Sequence, residues 1–529
     1  MRETTLPDTT ARVPHAAPQQ SQLSNPTTPT DEGPKASVRN WLGLAVLMLV
    51  VLVVSIDNTV LSFALPEISR ELHPSGTALL WIIDIYSLVL AGLLVTMGTL
   101  GDRIGRRKLL LIGAIGFGAV SVYAAFSTSA EHLIAARALL GLFGATLMPS
   151  TLALLRNLFL NDTERRLAIA IWAASFSAGA ALGPIVGGWM LEHYWWGSVF
   201  LINVPVIAVL LATGLFLLPE SRDPNPGRLD WTSVFLSIAA MFTLVYGIKT
   251  LAAGGQAPAG VAFFVGGLVL GYLFVRRQLR AENPMLDMHL FTNRVFSASI
   301  AANLMSVLAM AGMVYYLSQY LQLVLGYGPL NAGFYLLPGL FATIASGLFA
   351  VRLANRFPLR VLIPVGLGLS MLGFATATQL GAHSSVWLLV GAFFMVGLGV
   401  GLAETLTNDA ILASVPPHKA GAASGISETA YEVGALLGTA ILGSVLTAAY
   451  RNGLTVPEGV SAADSAAAHE TLGGALDVAA GIGGSVGDQL TEAAKVAFSH
   501  GADLTSMAGA VILLGAVLIT AISLRKSHS

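Results

Sequence analysis

From Trp41 onward the chain is a succession of apolar runs of roughly 20 residues, each long enough as a helix to cross about 30 Å of hydrocarbon. The runs cover 41–62, 79–100, 109–127, 133–155, 167–190, 198–218, 231–251, 260–276, 296–322, 331–351, 361–380, 386–412, 421–447 and 504–524, which predicts about fourteen membrane helices. Residues 1–38 break the pattern, being rich in Pro, Thr, Ser and Gln with no apolar stretch, and are expected to be a disordered tail. The connection 448–503 is polar and is expected to be a long solvated loop, with 486–500 able to form a short amphipathic helix, a lid, as the alternative.

Composition strengthens the membrane assignment. Of 529 residues, 55% are hydrophobic and 11% charged, against about 25% charged in soluble domains. A formal net charge of −1 offers no basic field to a nucleic acid, and the lack of cysteine removes disulfides, thiolate nucleophiles and Cys-ligated metals. Neither a metal nor another cofactor is expected.

The basic residues test the helix count. Of 28 Lys and Arg, 21 fall in loops of one parity, and four (Arg70, Lys249, Arg451 and Lys495) fall in the other. The positive-inside rule then places both termini in the cytoplasm of a cell (plasma) membrane, and 448–503 outside. The segment 353–366, LANRFPLRVLIPVG, echoes 100–113, LGDRIGRRKLLLIG, with Asn355-Arg356 in place of Asp102-Arg103. This repeat divides the chain into a tail (1–38), a six-helix half (39–218), two inserted helices with flanking loops (219–295) and a second six-helix half (296–529).

Ionisable side chains inside apolar runs are the candidate chemistry, because stranding a charge in lipid is costly. They are Asp57, Asp84, Arg137, Glu404, Glu428 and Glu432. An acid in oil can hold a proton or an organic cation but not both well, since burial favours its neutral form and a cation its charged form. Asp57 and Asp84 are expected in the outer half of the membrane, where they could face one cavity. Glu428 and Glu432 stand one turn apart on one helix face. Asp409 is expected to cap a cytoplasmic helix end. Trp81, Tyr86, Trp172, Tyr315, Tyr316 and Tyr320 are candidate aromatic partners for a flat cation.

Two further clusters carry glycine. The knot GTLGDRIGRRK, 98–108, allows a tight turn and gives Asp102 a choice between capping a helix and pairing with an arginine. In the fifth run, Gly179, Gly183, Pro184, Gly187 and Gly188 make one smooth helix face with a kink.

These motifs resemble those of the major facilitator superfamily. Gly98, Asp102, Arg103, Gly105, Arg106 and Arg107 match its hallmark loop, and the resemblance implies a latch at the cytoplasmic gate. Arg137 with Gly141 is similar to its fourth-helix Arg-x-x-x-Gly pattern, which implies proton coupling. The glycine-proline motif of 179–188 looks like that of drug:H⁺ antiporters, and SIDNTVL around Asp57 resembles the fourteen-helix branch containing the quaternary-ammonium exporters. The implied fold is all-α, with two six-helix halves rocking about a central site. The implied function is proton-coupled export of small lipophilic or cationic substrates from the cytoplasm or the inner leaflet of the membrane lipid, with no ATP. An exporter of an endogenous metabolite or self-made antibiotic remains open, as does a proton-coupled importer. An enzyme is not expected, because H-E-x-x-H and G-x-x-x-x-G-K-[ST] are both absent.

Overall fold

A computed structural model describes Met1 and residues 34–525, except 223–229, 253–256, 282–283, 285, 355, 383 and 416–419, together with most of the side chains between. The tail through residue 33, Asn355 of the repeated loop and Lys419 lie outside the described residues. Every regular element among the described residues is helical. The elements are α1 (Val38–Leu72), α2 (Gly76–Ile104), α3 (Arg106–Ala125), α4 (Ala130–Leu158), α5 (Asp162–His193), α6 (Ser198–Leu201), α7 (Asn203–Leu217), α8 (Trp231–Ala252) and α9 (Ala257–Arg280). They continue as α10 (Arg294–Gln319), α11 (Pro329–Ala354), α12 (Leu359–Ala377), α13 (Val386–Ala413), α14 (Ala420–Gly453), α15 (Ala462–Glu470), α16 (Leu472–Ile482) and α17 (Gly484–Arg525).

Each apolar run of the sequence falls on helical chain, though 198–218 is divided between α6 and α7, and 109–127, 296–322 and 361–380 run two or three residues past the ends of α3, α10 and α12. Thirteen helical segments among the described residues are long and apolar enough to cross a membrane, and α5 holds the run 167–190. Serines set the starts of several helices: Ser37, Ser75, Ser129 and Ser385 accept hydrogen bonds from backbone N–H groups of the first turn. Prolines stand inside α1, α4, α5, α11 and α12 at Pro66, Pro149, Pro184, Pro338 and Pro364, where each removes a backbone donor.

Packing sorts the helices. α1 lies against α5 and α7, α2 against α4, and α3 against α4 and α7. In the second group, α10 lies against α13 and α14, α11 against α13, and α17 against α12 and α14. Two seams join the groups, one between α5 and α11 and one between α2 and α14. The hairpin of α8 and α9 leans on the second seam, touching α2 and α14.

One end of the bundle carries the basic loop 103–108 and is called here the basic face. The opposite end is the cap face, and there the polar loop expected at 448–503 is instead mostly helical. Alanine-rich stretches capped by Ser461 and Thr471 form α15 and α16, and α17 begins at Gly484, well before the apolar run at 504. α15 and α16 bind the other helices: Ser69 and Thr471 hydroxyls are 2.8 Å apart, Glu470 accepts from the Gly76 N–H at 3.1 Å, and Arg451 pairs with Glu470 at 3.3 Å.

Candidate functional site

The charges expected inside the apolar runs are gathered into two buried ion pairs and an acidic seam. Asp57 on α1 and Arg137 on α4 are each 1% exposed, with Nη1 2.7 Å from Oδ2. Arg137 also donates Nε–H to the Ile82 carbonyl at 3.2 Å, and its guanidinium stands 4.3 Å over the Tyr86 ring. The second Asp57 oxygen accepts from Asn203 Nδ2 at 3.2 Å, and Asn203 donates also to Ser121 at 3.0 Å. Thus α4 and α7 reach the α1 carboxylate directly, and α2 and α3 support it through Arg137 and Asn203. Arg137 does not snorkel to an interface; its side chain is held in the protein by three kinds of contact.

Asp84 on α2 has a different partner from Asp57. It pairs with Lys249 of α8, whose Nζ lies 2.9 Å from Oδ2, and accepts a hydrogen bond on Oδ1 from the Thr439 hydroxyl of α14. Parity counting assigns Lys249 to an outer loop, and the structure corrects that. It sits inside α8 near its end, 1% exposed, with its ammonium 3.9 Å over the Trp81 ring. The signal that marks it is its position within three residues of an apolar run's end, where an inward-turned side chain reaches a buried partner. Asn203, Ser121 and Thr439 carry no sequence motif at all.

Glu432 lies on α14 at the same seam, 8% exposed, and takes a hydrogen bond from Ser87, one turn along α2 from Asp84. Its buried Oε2 has no hydrogen-bond partner among the described residues. Tyr86 stands within electrostatic reach of both Asp57 and Glu432 and so links the first ion pair to the seam. Glu428, one turn nearer the basic face, and Glu404 on α13, beside Tyr431, are part-buried. At about 1.5 Å per residue, Asp84 is ~12 Å from the cap-face end of α2, while Glu404 is ~14 Å from the basic-face end of α13. The acids are therefore staggered across the depth of the bundle. Asp409 is exposed and precedes the end of α13, which Ser414 caps.

The other seam holds the glycine motif. A Cβ at Gly179 would stand 2.7 Å from the Ser55 Cβ, one at Gly183 would meet Thr59, and one at Gly187 would meet Val60, all on α1. Gly188 faces α11 instead, where a Cβ would lie 2.5 Å from Leu330 Cα. Reciprocally, a Cβ at Gly333 of α11 would lie 2.6 Å from the Pro184 carbonyl oxygen. Pro184 and its glycines thus fit α5 between α1 and α11.

At the basic face, Asp102 pairs with Arg106 at 2.8 Å rather than capping α3. Glu220, which the sequence does not mark, caps α3 by accepting from the Arg107 and Lys108 N–H groups at 3.1 and 3.2 Å. Arg107 donates to the Leu215 and Leu218 carbonyls at the end of α7, favourable for a cation at a helix C-terminus. Gly105 turns the chain at φ 111°, a conformation that favours glycine. Arg103 is exposed. Beneath the loop, Gly98, Gly101, Asp102, Arg106, Pro149 and Ser150 line a crevice of about 140 Å³.

Comparison with known proteins bears on this arrangement. The sequence profile of the Major Facilitator Superfamily matches residues 47–439. The chain is 50% identical to the multidrug efflux pump LfrA of Mycolicibacterium smegmatis over 93% of its length and 98% of that protein's. It is 39% identical to the methyl viologen resistance protein SmvA of Salmonella typhimurium, covering 90% and 97%. It is 33% identical to the tetracenomycin C resistance and export protein of Streptomyces glaucescens, covering 91% of each. In fold it is similar to a bacterial homologue of the lysosomal transporter Spinster in an inward-facing, unoccupied conformation, with TM-score 0.65 at 16% identity, covering 93% and 98% of the two chains. The chain belongs to the major facilitator superfamily and is a multi-pass membrane efflux transporter, not an enzyme.

Proposed function

We propose that the protein exports amphipathic organic cations in exchange for protons, with the basic face and both termini in the cytoplasm. The observation that carries this reading is the Asp57–Arg137 pair, a buried carboxylate held by a guanidinium and an amide. Protonating Asp57 removes the charge that holds Arg137, which keeps its Ile82 and Tyr86 contacts. The tie between α1 and α4 then loosens. Because α1 seats the glycine row of α5, and α5 abuts α11, a shift of α1 reaches the seam between the groups. The two six-helix halves 39–218 and 296–529 are the moving bodies, and 219–295 is an insertion.

The cap face is pinned in this conformation. Ser318 of α10 donates to the Ser62 carbonyl at 2.8 Å, and Gln322 donates to the Phe63 carbonyl at 3.2 Å. This supports a state closed to the outside, in which cations reach the seam acids from the cytoplasm or lipid. The basic loop, with Asp102, Arg103, Arg106 and Arg107, is then the gate of the cytoplasmic side. A membrane potential supplies about 2.3 kcal/mol per charge per 100 mV, enough for one proton to drive a substantial gradient without ATP. The resistance named for the SmvA relative is to methyl viologen, a compound class consistent with this reading.

The test is proton exchange. Adding ethidium or methyl viologen to purified, detergent-held protein is expected to release protons. Asp57→Asn is expected to abolish that release and proton-driven efflux from vesicles while the protein stays monodisperse. Undiminished efflux by Asp57→Asn overturns the role given to Asp57. The similarity to the tetracenomycin C exporter favours a second reading, export of an aromatic metabolite. Proton release with such a compound and none with any lipophilic cation selects it.

A further inference from the structure

The inserted hairpin brings into the protein a charge that the transport cycle above does not use. Lys249 places a primary ammonium, with three N–H donors, where the Asp84 Oδ2 and the Trp81 ring are its neighbours. Its Nζ has no further hydrogen-bond acceptor among the described residues. Burying an ion pair this sparsely bonded is poor design for stability, since well-packed apolar residues serve as well or better. A carboxylate beside an indole face is, in contrast, the arrangement that recognises organic cations.

A row of rings leads away from this point. Trp81 stacks on Phe242 at 5.2 Å between centroids, Phe242 on Tyr246 at 6.1 Å, and Tyr246 meets Phe263 of α9 edge-on at 4.7 Å. Phe242, Tyr246 and Lys249 recur on one side of α8, at the spacing of a helix face. Phe242, Tyr246 and Phe263 are each about two-fifths exposed on the flank of the bundle, within spans that face lipid. The rings thus run from the lipid-facing flank to the buried Asp84 carboxylate.

We propose that Asp84, Trp81, Phe242 and Tyr246 form a side-entry site for planar aromatic cations, in which Lys249 is the resident ammonium that an arriving cation displaces. The proposal rests on the export of cations and gives the inserted helices a task within it: α8 carries both the aromatic approach and the internal competitor. Lys249 also ties the hairpin to α2 only while the site is empty of substrate. Removing the ammonium leaves a bare carboxylate for the substrate, so affinity rises.

Ethidium binding to the full-length protein in detergent at pH 8, followed by fluorescence polarisation, tests this. Lys249→Met is expected to bind at least tenfold more tightly than the wild type, and Asp84→Asn combined with Lys249→Met is expected to lose the gain. Trp81→Leu, which leaves both charges in place, is expected to weaken binding at least fivefold and carries the test alone if Lys249→Met does not fold. A Kd for Lys249→Met within twofold of the wild type, a gain that persists in the double variant, or unchanged binding by Trp81→Leu each overturns the proposal. Proton-driven efflux separates this outcome from the export reading. Efflux with no effect of Lys249 or Trp81 on binding sinks the side-entry site alone, and tight binding by Lys249→Met without efflux in the wild type sinks export alone.

Discussion

The two seams between the helix groups are built from opposite chemistry. At α5 and α11 the contact is backbone on backbone, with Gly188, Gly333 and Pro184 bringing the helices so close that no side chain fits between. At α2 and α14 the contact is polar, with Asp84, Thr439, Ser87 and Glu432 meeting across it and Lys249 entering from the side. A close-packed seam resists separation only through shape, so it can act as a pivot that keeps its contacts as the groups rock. A charged seam changes its attraction whenever a proton or cation arrives, so it can act as the element that responds. One side of the molecule supplies a hinge and the other a switch.

The largest effect is expected where the charged seam is broken from one side. Asp84→Ala leaves the Lys249 ammonium buried with no counter-charge, a loss of about 3–5 kcal/mol for such pairs. Thermal unfolding in detergent should show it as the steepest fall in Tm among these variants, and adding Lys249→Met should recover most of it. If the double variant is no more stable than Asp84→Ala, the pair is not the reason for the loss. The glycine seam is expected to respond less. Gly188→Val drives a side chain into the Leu330 backbone, and overpacking of this kind costs about 1–3 kcal/mol. Efflux should slow while ethidium affinity stays within twofold of the wild type, since no seam acid is touched. A large change in affinity would show that the two seams are not separate in task.

How much of this was legible beforehand differs between the seams too. The glycine row of α5 is written in the sequence, because close approach needs small residues at fixed spacing, but which helix each glycine meets is not: Gly179, Gly183 and Gly187 seat α5 on α1, and Gly188 with the unmarked Gly333 makes the seam to α11. The repeat of apolar runs likewise gives the helices, since hydrocarbon thickness dictates their length. The buried charges, of the seam and of the first helix group, are half legible. Asp57, Asp84, Arg137 and Glu432 stand out as charges in oil, but which charges meet depends on how helices far apart in the chain pack. Asp57 finds Arg137, 80 residues on, and Asp84 finds Lys249 rather than a place beside Asp57. Lys249 was lost to the loop count because an ammonium at a helix end is equally at home in water. The helices of the cap were missed for another reason: Ala- and Ser-rich sequence of low hydropathy resembles a loop until its serine and threonine caps find backbone partners.

The smallest effect is expected at the far end of the inserted hairpin, and its size tests what holds α8 in place. Asp230 starts α8, accepting from the Ser233 N–H at 3.1 Å, and takes both Arg277 Nε and Nη2 of α9 at 3.1 and 2.9 Å. Hydrogen bonding from Arg277 holds its carboxyl well below the usual range, at about 2. A carboxylate whose folded value lies below its unfolded value of about 3.9 stabilises fully above that value, and the contribution fades as pH falls toward 2. Because Arg277 is 42% exposed, solvent screens the pair, and Asp230→Asn should cost only about 1 kcal/mol, cap and pair together. Unfolding should show the deficit at pH 7 and a shrinking one below about pH 4. Ethidium affinity should stay that of the wild type, because Asp84, Lys249, Trp81 and the rings of α8 are untouched and Lys249 still ties the empty site. If Asp230→Asn instead tightened ethidium binding as Lys249→Met is expected to, the position of α8 would be set from the basic face, and the resident ammonium would be a passenger rather than the tie.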